Sequence, residues 1–408
     1  MSSILQQTKY IKYEKGLVTF GFVVLFGLII LWIANRMLLI RSDDFYHYSF
    51  RSVKPLRAFV KGQLKSKDTF FCPNSQIGFR QRLYKKLMLL ERKPEIMILG
   101  SSHSLKIKAE MFNLDPELFY NAGIVSGTTL DNLSLWQYAI ENNLNPKLII
   151  YVASGHDLQW LPNAEFYPEI IEIIRKVEPK SFSSKIQKYA LMIPPLGLNI
   201  WQQFKYGLRF YSLKDILMEH LLTGSKRKAL LKREHNSSEP FLEKSQNCYS
   251  DSWGFHYDGS IVYGTNLEST SFDNRERLKH YTKEKMAEYK KLDISTGILF
   301  LLDVFLNDAK SRGVTVLFLF PPRMFINEIN QIEPAYENWN IIVADKLKQI
   351  SNLHGYEFHY FDRAEYLGCG INDFHGVSHP REICYSKILS KIAQNTNSQI
   401  IKRFIRTN

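Results

Sequence analysis

The chain has 408 residues, with 53 Lys+Arg against 40 Asp+Glu and a formal net charge of +13. Its 45% hydrophobic and 23% charged fractions are those of a folded protein, which excludes disordered, collagen-like and low-complexity architectures. No repeat at a fixed period marks a solenoid, and the basic charge lacks a zinc-finger, KH or RNP signature, so no nucleic-acid partner is expected.

Residues 1–15 form a short tail with Lys9, Lys12 and Lys15. From Gly16 to Asn35 there are 20 residues without a charge, about 30 Å as a helix, which matches the hydrocarbon core of a bilayer. Trp32 stands near one end as an interfacial anchor. Residues 16–40 are therefore expected to be one transmembrane helix, held by membrane lipid. Ala34-Asn35-Arg36 makes a poor cleavage site, which favours an anchor over a removed signal peptide. Arg36, Arg41, Arg51 and Lys54 offset the three lysines before the span, so charge alone leaves the topology open.

Residues 41–93 read as a linker with some helix, Arg80 to Glu91. From residue 94 an α/β rhythm begins. Apolar runs at Ile96–Leu99, Leu118–Asn121, Leu148–Val152, Val314–Phe320 and Phe358–Phe361 suit strands buried on both faces, as in a parallel sheet. Helical patterns at Thr129–Asn142, Ser295–Lys310 and Arg381–Gln394 alternate with them. The expected fold is a three-layer α/β domain over residues 94–398. Residues 160–290 break the rhythm and read as an insertion over the active edge, with a basic run at Lys226–Arg233 and an aromatic patch at Trp253–Tyr257. None of the four cysteines makes a C-x-x-C pair, so no metal site is expected; Cys369 and Cys384 are close enough in sequence to pair outside the cytoplasm.

Reactive groups in a parallel sheet gather in the loops after the strands. Gly100-Ser101-Ser102 follows the first strand and offers Ser102 as a nucleophile, although serines at helix starts also serve as caps. Asn121–Thr129 holds two glycines, and Gly127 can present its N–H to an oxyanion. Ser154-Gly155-His156-Asp157 places His156 as a second donor. Asn372–Pro380 holds His375 and His379, either of which can act as a base, with His379 favoured by the proline that follows it.

The order of serine, glycine, polar residue and histidine at successive loop tips resembles the SGNH hydrolase superfamily. Its four blocks look like Gly100-Ser101-Ser102, Val125-Ser126-Gly127-Thr128, Ser154-Gly155-His156-Asp157 and Gly376-Val377-Ser378-His379-Pro380. The resemblance covers residues 94–160 and 295–395 and implies an SGNH-like fold. Two positions depart from the pattern. Gly376 stands where the family has the aspartate that orients the histidine, leaving Asp373 as the nearest carboxylate, and His156 stands where the family has asparagine.

Within the superfamily the chain looks like membrane-anchored proteins that modify cell-envelope polymers, among them those of teichoic-acid D-alanylation and of alginate and peptidoglycan O-acetylation. That likeness implies an extracytoplasmic O-acyltransferase or esterase of single-pass membrane location. Its substrate would be a polysaccharide or other polymer, its companion a multi-pass membrane-bound O-acyltransferase, and it would need no cofactor. The alternative is a catalytically silent SGNH-like partner of such an acyltransferase. The anchor has its own test: alkaline carbonate should leave the full chain in membranes and release a chain beginning near residue 45. Equal release of both would remove the anchor.

Overall fold

A computed structural model describes residues 60–65, 81–159, 253–263, 294–322, 334–375 and 379–406, with short pieces at 26–27, 70–71, 173 and 242–243. Among the described residues no helix is long and apolar enough to cross a membrane; all of the expected span 16–40 except Phe26 and Gly27 lies outside them.

The apolar runs become five parallel strands. They are β1 (Ile96–Gly100), β2 (Phe119–Asn121), β3 (Leu148–Val152), β6 (Thr315–Phe320) and β7 (Glu357–Tyr360), where β4 and β5 belong to a separate hairpin described below. The sheet order is β2-β1-β3-β6-β7. Register runs without a break across its centre, with Leu99 opposite Tyr151 and Tyr151 opposite Phe318. Alternate residues of each strand feed two separate cores. Met97, Leu99, Ile149, Tyr151, Val316 and Phe318 face one core, while Ile98, Ile150, Val152, Leu317 and Leu319 face the other. Burial on both faces is why these strands read as continuous apolar runs rather than alternating ones.

The first core is closed by α1 (Gln81–Arg92), α2 (Thr129–Glu141), α3 (Thr296–Ser311) and α4 (Pro334–His354), through Leu87, Met88, Leu133, Trp136, Leu301, Phe305, Val343 and Leu347. The second is closed by α5 (Glu382–Asn395) and α6 (Gln399–Phe404), through Tyr385, Ile388, Leu389, Ile401 and Phe404. The caps follow from sequence. Thr128 and Asp131 form a reciprocal capping box at the start of α2, and Ser295 accepts from the Ile298 N–H at the start of α3.

The domain is wider than expected. The helix in the stretch read as a linker is a core element: Tyr84, Met88 and Leu89 are fully buried. Arg82 forks onto both oxygens of Asp131, at 3.0 and 2.8 Å, and ties α1 to the capped end of α2. At the other end, α6 extends the fold beyond residue 398, and Ile405 bridges to Phe112.

The aromatic patch of the insertion forms a hairpin of β4 (Trp253–Phe255) and β5 (Ile261–Tyr263), continued by antiparallel pairing to Phe70–Phe71 and Leu242–Glu243. Its turn is wedged against the end of β2. The Asp258 carbonyl accepts from the Asn121 N–H at 2.7 Å, and the Asp258 carboxylate accepts from the Ala109 N–H and from Ser260. Gly259 adopts φ +85°, and a Cβ there would come within 2.1 Å of the Asn121 carbonyl, so the turn requires glycine twice over.

Half-buried His256 stands in the same turn. Its pKa is pushed down to about 4, chiefly by burial and further by Lys108 and Lys106, against the pull of Asp258. The folded protein therefore leaves His256 neutral where the unfolded chain binds a proton, from pH ~6.5 down to about 4, and stability falls on acidification through that window. Allowing for partial exposure, His256→Gln should remove about 1–2 kcal/mol of the stability difference between pH 7 and pH 4.5, read by urea unfolding at both.

Candidate active site

The sheet order places a reversal of strand order at β1 and β3, because the chain leaves β1 for β2 on one side and then crosses back to β3 on the other. The loops after β1 and β3 lead to opposite sides there, the position at which open α/β sheets bind ligands at the carboxyl ends of their strands. Ser102 sits at that point. It is the first residue of a 3-10 turn, Ser102–Lys106, that follows β1 directly. The cap position belongs to Ser101, whose hydroxyl makes no cap bond and lies 2.9 Å from His103 Nδ1 instead. Ser102 is partly exposed, and its own N–H starts the turn, where no intrahelical acceptor exists.

The turn is held from behind. Asn121, fully buried at the end of β2, donates through its side chain to Ser104 O at 2.8 Å and Ile107 O at 2.9 Å, and accepts from the Gly123 N–H at 3.0 Å. Asn132 accepts from the Gly100 N–H at 2.9 Å. A Cβ on Gly123 would lie 2.1 Å from Ser104 Oγ, so only glycine lets the loop after β2 press this closely on the serine turn.

His379 arrives from the far side of the chain. It lies in the short antiparallel pair of β8 (Phe374–His375) and β9 (His379–Pro380), where His375 is its register partner. Ser102 Oγ is 2.9 Å from His379 Nε2, across a sequence separation of 277 residues. That distance is within the range a serine and its base require. The other histidine, His375, stacks on Tyr263 of the hairpin, with ring centroids 4.4 Å apart. Lys106 Nζ lies over the same Tyr263 ring, 4.7 Å from its centre. The insertion thus reaches the histidine pair through Tyr263.

The remaining expected site residues fall differently. The Asp373 carboxylate, expected to orient His379, accepts from the Gly370 N–H at 2.9 Å and Lys387 at 3.2 Å. The tight turn Ile371–Asp373 bends the side chain back onto its own loop, and α5 supplies the lysine. Gly376 lies outside the described residues. The Gly127 N–H, expected to face an oxyanion, donates to Ile124 O at 2.9 Å within a turn. Next to it, exposed Ser126 takes the left-handed conformation at φ +54°. His156 remains in the loop after β3, its backbone N–H directed at Ser154 Oγ. Asp157, which as a bare sequence looks like a cap, is a buried anchor for that loop. It accepts from Tyr151 at 2.7 Å, Ser154 Oγ at 2.8 Å and Thr129 at 3.1 Å, and from the Ser154 N–H. Burial outweighs these donors and pushes its carboxyl above the ordinary carboxylate range.

The chain matches no family model and no curated protein sequence. The geometry must therefore speak for itself, and it adds residues that sequence reasoning passed over. Glu382, in the first turn of α5, pairs with Lys108 at 3.1 Å and Lys106 at 3.5 Å. Burial opposes ionisation of Glu382, but the two lysines outweigh it and hold the carboxyl below its usual value. The pairing ties the serine turn to the helix that follows His379. His103 lies flat against His379. Among the described residues no group of three or more His, Cys, Asp or Glu is placed to hold a metal ion.

A disulfide closes this part of the structure. Cys369 and Cys384 are bonded, with Cα atoms 5.5 Å apart at a sequence separation of 15, and the loop they enclose contains both His375 and His379. Both sulfurs belong to buried residues of the second core. A loop of this length gains about 3 kcal/mol from closure. The double variant Cys369→Ser, Cys384→Ser should lose about 2–3 kcal/mol in chemical unfolding. An unchanged unfolding midpoint would show that packing alone holds the loop.

Proposed function

We propose that this chain is a membrane-anchored, extracytoplasmic serine O-acyltransferase or esterase of SGNH type, acting on a cell-envelope polysaccharide or other polymer. The observation that carries the reading is the 2.9 Å pair of Ser102 Oγ and His379 Nε2 at the point where the strand order reverses. In the first half of the reaction Ser102 Oγ attacks an acyl carbonyl while His379 takes the hydroxyl proton. The tetrahedral intermediate collapses as His379 returns that proton to the leaving oxygen, and the acyl group stays on Ser102. In the second half a sugar hydroxyl or water attacks the ester with His379 again as base, and Ser102 is regenerated. The Ser102 N–H at the start of its turn is the donor best placed for the oxyanion, with His156 as the side chain proposed to join it; a contribution from Gly127 requires its turn to release Ile124.

Two further features support the extracytoplasmic location. The Cys369–Cys384 bond suits an oxidising compartment, and the uncharged segment Gly16–Asn35 suits an anchor. A membrane-bound O-acyltransferase is the proposed companion because an anchored serine enzyme of this kind needs an acyl donor on its own side of the membrane. A second reading, a catalytically silent partner of such an acyltransferase, draws on one observation: Asp373 Oδ2 accepts from Gly370 and Lys387.

Labelling with a fluorophosphonate separates the two readings, since an activated serine displaces the fluoride and keeps the phosphonyl group. The enzyme should label at Ser102. Ser102→Ala should abolish labelling, and His379→Ala should slow it by about 10³-fold or more. Full-length protein that does not label would establish the silent partner.

A further inference from the structure

His103 has no place in the reaction as written, yet it touches the base. Its ring is stacked on that of His379, with centroids 4.5 Å apart and planes within 6° of parallel. The His103 ring is itself held. Nδ1 is 2.9 Å from the hydroxyl of Ser101, a buried residue, and the buried Tyr385 hydroxyl donates to the His103 carbonyl. Two serine–histidine pairs therefore lie in register, Ser101 with His103 and Ser102 with His379, and the imidazoles meet face to face.

A histidine ring turns about a broad, shallow torsion, so a base needs an outside restraint to keep one nitrogen aimed at its serine. A carboxylate is the usual restraint. Here Oδ2 of the nearest carboxylate in sequence, Asp373, accepts from Gly370 and Lys387, while the flat face of His103 is in contact with the base. We propose that His103 is a positioning residue for the base: pinned by Ser101, it is the platform that keeps His379 Nε2 aimed at Ser102. An aromatic face also attracts a cationic ring, so the platform favours the imidazolium that forms as Ser102 gives up its proton. This inference rests on Ser102 and His379 acting as nucleophile and base.

The test uses full-length protein and the rate of fluorophosphonate labelling at saturating probe. His103→Leu keeps bulk without a flat face, His103→Gln keeps a polar group for Ser101 without a ring, and His103→Phe keeps the flat face without the nitrogens. Leu and Gln should label about tenfold more slowly, with the half-saturating probe concentration and the melting temperature near those of the parent; Phe should recover most of that loss. A structural role alone would not rank the variants by aromaticity. Leu or Gln labelling as fast as Phe overturns the positioning role while leaving the Ser–His reading intact. Absence of labelling in the parent protein overturns the Ser–His reading first, and this inference with it.

Discussion

The arrangement of the site depends on how one buried amide is satisfied. Asn121 uses its side-chain donors on two carbonyls of the serine turn and its side-chain oxygen on Gly123. Its backbone N–H goes to Asp258 in the hairpin turn, and its carbonyl accepts from Lys85 of α1 at 2.7 Å. One residue thus fixes the loops after β1 and β2, the insertion hairpin and α1 against each other. Any of these bonds left unmade in the dry interior would cost about 1–3 kcal/mol, so the partners move together or not at all. Lys85 is the expensive member of the set. It is fully buried, shares its ammonium between the carbonyls of Asn121 and Gly259 and lies 4.1 Å from the centre of the Phe255 ring. Burial drives its pKa well below the ordinary lysine value, with Asp258 opposing.

From that fixed turn, the parallel sheet does the rest of the positioning on the serine side. β1 is a central strand paired on both edges, and its last residue, Gly100, is registered against Val152 of β3. The backbone entering Ser102 therefore has little freedom. The histidine side is built differently. A two-residue antiparallel pair is a weak element by itself, and it is supported by the disulfide behind it, by Tyr263 on His375 and by the Glu382 pairing with Lys106 and Lys108. Strand pairing places Ser102; cross-links and stacked rings place His379.

The parts of the fold that were legible in the sequence are those with strong periodic or boundary signals. Strands buried on both faces appear as unbroken apolar runs, and α2 and α3 begin at their threonine and serine caps. The 21-residue helix α4 was passed over. Its buried positions Trp339, Val343, Leu347 and Ile350 follow helical spacing, but exposed Ile341 and Ile342 blur the stripe, and this amphipathic signal was there to be found. Helix α1 was legible as a helix and not as core, because its buried Lys85 and Lys86 read as solvent-facing charges. Ser102 and His379 were legible as candidates from loop position. The bonds that Asp373 and Gly127 make were not legible, and the two share a cause. Each is satisfied by a partner within three residues, and such short-range bonds form from turn geometry that residue identity does not reveal.

The 277-residue gap between Ser102 and His379 has a consequence for how the protein comes into being. A growing chain displays the serine turn long before His379 exists, and β1, β2 and β3 can pair while the last third is still unmade. Contacts of such long range form late, because the entropy of closing the loop must be met before they contribute. During synthesis Ser102 is therefore without the partner histidine that it meets in the finished fold. The Ser102–His379 pair is complete only when the segment after β7 that carries His379, closed by the Cys369–Cys384 bond, has come back to the end of β1.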